Sequence, residues 1–265
     1  MLKDKKILVV IVVIAMFGSA MVLSGCTEEK KGNKIIVGTS ADFPPFEYVE
    51  GGKIIGFDID LITTILENLN YTVEVKDIGF DSLIPSLKSG KIDVIAAGMT
   101  ITEEREEEID FSDAYYEADQ SVLIKKGSGV EINASHDLEN FTASIANYTI
   151  GAQTGTTGAG WVQEQLIDTE MMDEENLKLY DLYIDAVADL DIGPERLDLI
   201  ILDLPVAQAF SENANREVAY TIETGEYYGF GVKEGETELL GKINSELDEF
   251  IGTEDWFALI NEYFE

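Results

Sequence analysis

Three short segments of this 265-residue chain put charge or hydrogen-bond donors at the ends of apolar runs. Arg105 is the first. Of three arginines, Arg196 and Arg216 sit in polar loops and read as solvated, while Arg105 follows the run ending Ala96-Ala97-Gly98 by a few residues. In α/β sheets ligands gather where strands run out into loops. A guanidinium offers a planar fork that matches a carboxylate with two parallel bonds. Pairing with Glu103, Glu104 or Glu108 on a helix surface explains the same residue equally well. The second segment is Gln153-Thr154-Gly155-Thr156-Thr157-Gly158, before a helix containing Trp161. Such a turn presents free N–H groups and a positive dipole end, which favours a carboxylate or merely caps the helix. The third is Asp203, after Leu199-Ile200-Ile201-Leu202. It suits an ammonium group, and it also suits an N-cap for the helix beyond Pro205. Phe43 and Phe80 follow apolar runs and can wall a pocket or pack in the core.

Much other chemistry is excluded. A single histidine, His136, and a single cysteine, Cys26, carry no nucleophilic triad pattern, and no disulfide can form within the chain. No HExxH or CxxC spacing is present, the Walker lysine is missing from the Gly/Thr turn, and no catalytic residue, metal or cofactor is expected. Eighteen Lys and Arg against 52 Asp and Glu give a formal charge of −34, which repels nucleic acid.

The elements that must position these groups alternate. Ile35-Val37, Tyr71-Val75, Ile92-Ala97, Ile145 with Tyr148-Ile150, Leu177-Tyr180, Leu199-Leu202 and Gly229-Val232 read as strands. Helical spacing predicts helices over Ile59–Leu69, Phe80–Leu87, Trp161–Leu166, Leu239–Ile251 and Trp256–Phe264. Strands alternating with helices imply an α/β fold with mostly parallel sheets covered on both faces.

The first 25 residues read as an export signal: Lys3, Lys5 and Lys6, then an apolar run from Ile7 to Phe17, then small residues. Leu23-Ser24-Gly25-Cys26 resembles a lipobox, which implies lipid attachment at Cys26 and a membrane anchor through that lipid. Residues 26–33 are a polar tether.

Taken in order, Ala41-Asp42-Phe43-Pro44-Pro45-Phe46-Glu47-Tyr48, Gly56-Phe57-Asp58-Ile59-Asp60-Leu61, Phe80-Asp81-Ser82-Leu83-Ile84-Pro85-Ser86-Leu87, the stretch Ala97 to Arg105, and Ile109 to Tyr116 closely resemble the family 3 extracellular solute-binding proteins of polar amino-acid ABC importers. The resemblance implies the two-lobed type II periplasmic-binding-protein fold. Residues 34–115 and 228–265 would form lobe 1, 120–225 lobe 2, and 116–119 with 226–227 the hinge. It also implies a site: Arg105, Thr100 and Thr157 for a ligand carboxylate, the backbone at Gly98 with Asp203 for its amine, Phe43 and Phe80 around its side chain, Gln153 with Ser40 at the side-chain end, and Ala97 among the residues lining it. The ligand expected is a free amino acid, with a polar neutral side chain favoured and a basic one left open. The expected partners are the permease subunits of an importer, and the expected state is a monomer on the outer face of the cytoplasmic membrane. A sensor ectodomain and a dehydratase acting on arogenate or prephenate are the competing functions. The dehydratase needs an acid poised to donate a proton, and no extra acid stands out beside the expected pocket.

Overall fold

The structure is a computed structural model that describes residues 33–133, 137–212 and 215–264. Cys26, His136, the export signal and most of the tether lie outside the described residues.

The chain starts with β1 (Lys34–Thr39), whose apolar run buries Ile35 and Val37. A small antiparallel sheet follows, built from β2 (Asp42–Phe43), β3 (Glu47–Glu50) and β4 (Lys53–Ile55). Helix α1 (Phe57–Asn68) buries Phe57, Ile59, Leu61, Ile62, Ile65 and Leu66, the stripe its spacing predicts. Next come β5 (Thr72–Asp77), a 3₁₀ turn at Phe80–Ser82 leading into α2 (Leu83–Lys88), β6 (Val94–Ile95), the one-turn helix α3 (Glu103–Glu106) and β7 (Ile109–Phe111). The ten-residue β8 (Tyr116–Lys125) then carries the chain into the second lobe.

There, α4 (Leu138–Ile145), β9 (Ile150–Gln153), α5 (Thr157–Val162), β10 (Leu177–Tyr180), α6 (Tyr183–Ile192), β11 (Leu199–Asp203) and α7 (Leu204–Ser211) alternate. β12 (Arg216–Tyr228) returns to lobe 1, where β13 (Gly231–Lys233), α8 (Thr237–Phe250) and α9 (Glu254–Phe264) complete it. Sheet orders are β5-β1-β6-β13-β7 and β10-β9-β11-β8-β12.

Both sheets are mixed where a mostly parallel arrangement is expected. β1 is parallel to β5 and β6, and β9 to β10 and β11, while β13 and β8 run antiparallel to their neighbours. The antiparallel strands are the outgoing crossing itself, β8, and β13, which follows the returning one, so they enter a sheet against its βαβ direction. The crossings themselves pair from Tyr228↔Tyr116 at the lobe 1 end to Arg216↔Lys125 at the far end, with register shifts between Val218 and Tyr220 and between Ile222 and Glu226. At the second shift Asp119 Oδ1 accepts the backbone N–H of Thr224 and of Gly225, each at 2.9 Å.

Several boundaries differ from expectation. The strand expected over Ile92–Ala97 keeps its ladder only at Val94–Ile95. Ile145 belongs to α4, which Asp137 caps by accepting from the N–H groups of Glu139 and Asn140, and its side chain packs with Phe141 and Val162. The helix around Trp161 starts earlier, at Thr157, and widens into a π turn at Gln163–Ile167.

An aromatic cluster fills the lobe 1 end of the crossings. Phe46 meets Phe57, Tyr116, Tyr228 and Phe264 at centroid distances of 6.1, 4.9, 5.1 and 5.3 Å. Truncating so buried a ring costs about 3–5 kcal/mol. The cluster therefore fixes the start of β8 and the end of β12 to lobe 1.

Candidate functional site

The site lies where the strand ends of both lobes meet. After β6 the chain turns through Gly98, whose φ of +51° suits glycine, and a Cβ there would come within 2.7 Å of the Phe43 ring. The Gly98 N–H and the Tyr115 hydroxyl both donate to Asp58 Oδ2, at 2.8 and 2.6 Å, which fastens this turn to α1. Burial pushes the Asp58 carboxyl up to about 7, against the pull of those two donors. The next residues run alongside the returning crossing: Gly229 N–H donates to Met99 O and Ile101 N–H to Tyr227 O. Thr100 is thereby held beside Glu226.

Thr102 caps α3, its hydroxyl accepting from Arg105 N–H at 3.2 Å. The guanidinium then points into the cleft rather than along the helix surface. Nη1 donates to Thr100 O at 2.6 Å and Nη2 crosses to Gly155 O of lobe 2 at 3.0 Å, with the Phe80 ring centroid 5.4 Å from Cζ. Burial lowers the Arg105 pKa, and the carboxylates of Glu226, Asp203 and Glu104 oppose that shift. Across the cleft, Thr156 caps α5 and leaves the Thr157 hydroxyl free to face Arg105's side of the cleft. Both hydroxyls of the expected carboxylate clamp donate to one atom: Thr100 Oγ1 at 2.8 Å and Thr157 Oγ1 at 2.6 Å to Glu226 Oε2.

Asp203 stands at the N-cap position of α7, yet its side chain makes no cap hydrogen bond. It is buried, and Oδ1 accepts the Tyr228 hydroxyl at 2.7 Å. Burial, then the charge of Glu226, raises its carboxyl to about 7. Gln153 spans the cleft. Its amide donates to Asp181 O at 2.9 Å in lobe 2 and to Asp42 Oδ2 at 3.4 Å in lobe 1. Asp42 also accepts the Tyr183 N–H at 2.5 Å and the Ser40 hydroxyl at 3.0 Å. Phe43 stacks on Tyr183 with centroids 5.7 Å apart.

An inner pocket brings together Ser40, Phe43, Phe80, Gly98, Thr100, Arg105, Gln153, Thr157 and Asp203. Nine of the ten residues expected at the site thus share one hollow. Ala97 is the exception: its side chain packs in the core with Leu83, Leu87 and Ile109. The pocket measures about 10 Å³, room for one water. A groove of about 670 Å³, lined by Phe80, Arg105, Trp161 and Glu226 among others, opens at its mouth.

Two acids were not anticipated. Glu226 is one. Glu47 is the other, and it corrects the expectation that no extra acid stands beside the pocket. Glu47 is fully buried, and neither carboxylate oxygen has a hydrogen-bond partner among the described residues. Burial first, then the charges of Asp58, Asp42 and Asp203, push its pKa well above the usual carboxylate range. Burial without a partner favours the protonated form of such a carboxyl, and a cation placed beside it favours the anion.

Residues 35–265 match the bacterial extracellular solute-binding proteins, family 3. The chain belongs to that family. Among its relatives, the arginine-binding extracellular protein ArtP of Bacillus subtilis (strain 168) is 35% identical, covering 85% of this chain and 83% of the relative. The glutamine-binding protein GlnH of the same organism is 33% identical over 82% and 76%. A solved ancestral arginine-binding protein with arginine bound superposes with a TM-score of 0.77 at 36% identity, covering 88% of this chain and 99% of that one. Family 3 membership and these likenesses make the chain a two-lobed solute-binding protein whose relatives bind amino acids for ABC transporters.

Proposed function

We propose that this chain captures a cationic amino acid, arginine foremost, outside the cytoplasm and delivers it to the permease of an ABC importer. One observation carries the reading: the buried, unpartnered Glu47 carboxyl in the inner pocket. A zwitterion has two charged ends, and burying either unpaired costs several kcal/mol. Arg105 with Thr100 and Thr157 suits the carboxylate end. Asp203 suits the ammonium end. Phe43 and Phe80 wall the aliphatic stem. That assignment leaves Glu47 surplus, and a third charge on the ligand, a guanidinium or ammonium, satisfies it. The polar neutral side chain favoured by the sequence leaves Glu47 without a role, whereas ArtP binds arginine by name.

Arg105 and Asp203 come from different lobes, so only lobe closure completes the site, and ligand shifts the hinge by binding the closed form better. Lipid attachment at Cys26 would keep the protein near its permease. Residues 34–115 with 228–265, and 120–225, remain the units taken to move about 116–119 and 226–227, as a monomer.

Thermal-shift and calorimetric titration of the 20 common amino acids tests the reading. Arginine, then lysine or histidine, is expected to bind most tightly. A preference for a neutral or acidic amino acid refutes it. A carboxyl whose pKa is raised, as that of Glu47 is, also suits a proton donor, so arogenate and prephenate belong in the same panel. Their turnover, followed by absorbance, would favour the dehydratase.

A further inference from the structure

The ligand carboxylate's expected seat already holds a carboxylate. Glu226 belongs to β12, the returning crossing, and its Oε2 accepts from Thr100 of lobe 1 and Thr157 of lobe 2, at 2.8 and 2.6 Å. Gln120, on the outgoing crossing β8, adds a longer bond from Nε2 to the same oxygen at 3.5 Å and one to Thr157 Oγ1 at 3.3 Å. Among the carboxylates that favour a charged Arg105, Glu226 contributes most. Two of the three side chains assigned to an amino-acid carboxylate, Thr100 and Thr157, thus donate to Glu226, and the third, Arg105, feels its charge.

Backbone geometry aims the side chain there. The register shift between Ile222 and Glu226 is pinned by Asp119, and beyond it Glu226 pairs with Ala118. The side chain is half-buried, between the inner pocket and the outer groove, so it has a route out to solvent.

We propose that Glu226 is a tethered stand-in for the ligand's carboxylate: it clasps Thr100 to Thr157, draws the lobes together, and must swing toward the outer groove before an amino acid can take its place. The proposal rests on the reading that Thr100, Arg105 and Thr157 receive the ligand carboxylate. A clasped population is not competent to bind, so apparent affinity is reduced by the fraction clasped. Two charge-assisted hydrogen bonds set that fraction, enough for a factor of about ten or more.

Glu226→Gln and Glu226→Ala test it. Calorimetric titration with arginine and small-angle scattering without ligand are run on both variants and the wild type. Both variants are expected to bind arginine about tenfold tighter, and both are expected to show a larger ligand-free radius of gyration than the wild type. Weaker or unchanged binding overturns the proposal, because Glu226 would then be serving the ligand or doing nothing at the seat. An unchanged ligand-free radius overturns it as well. If no amino acid binds any of the three proteins, the proposed function fails, and the scattering alone decides whether Glu226 clasps the lobes.

Discussion

Replacing Glu47 by glutamine separates charge from shape in the inner pocket. The side chain keeps its size, and only the ability to become an anion is lost. A guanidinium in contact with the Glu47 carboxylate gains about 4 kcal/mol at an effective dielectric near 20. Part of this is spent on deprotonating Glu47, whose pKa burial and three neighbouring acids hold well above the usual range. A net loss of about 2 kcal/mol in Glu47→Gln is a weakening of arginine binding by roughly thirtyfold. Glutamine, which brings no third charge, is expected to bind the variant as well as the wild type or better.

The same reasoning fixes the pH dependence. Burial and the neighbouring acids favour protonated Glu47 before binding, and a bound guanidinium favours its anion, so arginine uptake is expected to release a proton and affinity to rise with pH. Calorimetry in two buffers of different ionisation enthalpy reads the proton directly in the wild type and should find it gone in the variant. Equal arginine affinity in Glu47→Gln and wild type, or arginine binding without proton release in the wild type, refutes the assignment.

Other expectations follow the same geometry. Arg105→Ala and Asp203→Ala each weaken arginine binding by about 2–5 kcal/mol, the cost of stranding one end of a buried zwitterion, while circular dichroism stays native. Unchanged calorimetric affinity in both removes the site from this cleft. Asp58 has a folded pKa raised to about 7 against an ordinary value of 3.8, so its contribution to stability is complete at low pH and is lost as pH rises through 7. The loss is on the order of 4 kcal/mol. Thermal unfolding of Asp58→Asn between pH 5 and 8 should slope less than the wild type, and parallel curves would count against it. Gly98→Ala forces a Cβ against Phe43 at a positive φ and should cost about 1–3 kcal/mol of stability by chemical denaturation.

Much of the site is legible in the sequence because its residues follow buried apolar runs directly. Gly98 and Thr100 are within five positions of the end of β6 and Arg105 is ten beyond it, Gln153 ends β9, and Asp203 ends β11. A strand exit is a local property, so linear reading finds it. The two surplus acids are not local. Glu47 lies inside one of the motifs that carry the resemblance, but its place in the inner pocket depends on residues far along the chain, Gln153, Thr157 and Asp203 among them. Glu226 reaches Thr100 and Thr157 only because β12 returns antiparallel to β8, which no run of residues near it encodes. The long pairing of the crossings is hidden from linear reading for a related reason. Asp119, Gln120 and Ser121 break the apolar pattern of β8, since that stretch is buried by polar contacts to Thr224, Thr157 and Leu202 O rather than by packing. The sheets' mixed direction depends on the order of lobe crossings, which is likewise a property of the whole path.

The crossings are two halves of one antiparallel ribbon, laddered from Tyr116 and Tyr228 to Lys125 and Arg216. Sliding one strand along the other would break many backbone bonds at once, whereas flexing the ribbon across its thin dimension breaks few. Such a connector is stiff in two directions and compliant in the third. A hinge built on such a ribbon would steer its two halves along a single arc, like covers on a shared spine, and each swing would bring Arg105 and Thr157 back into the same alignment.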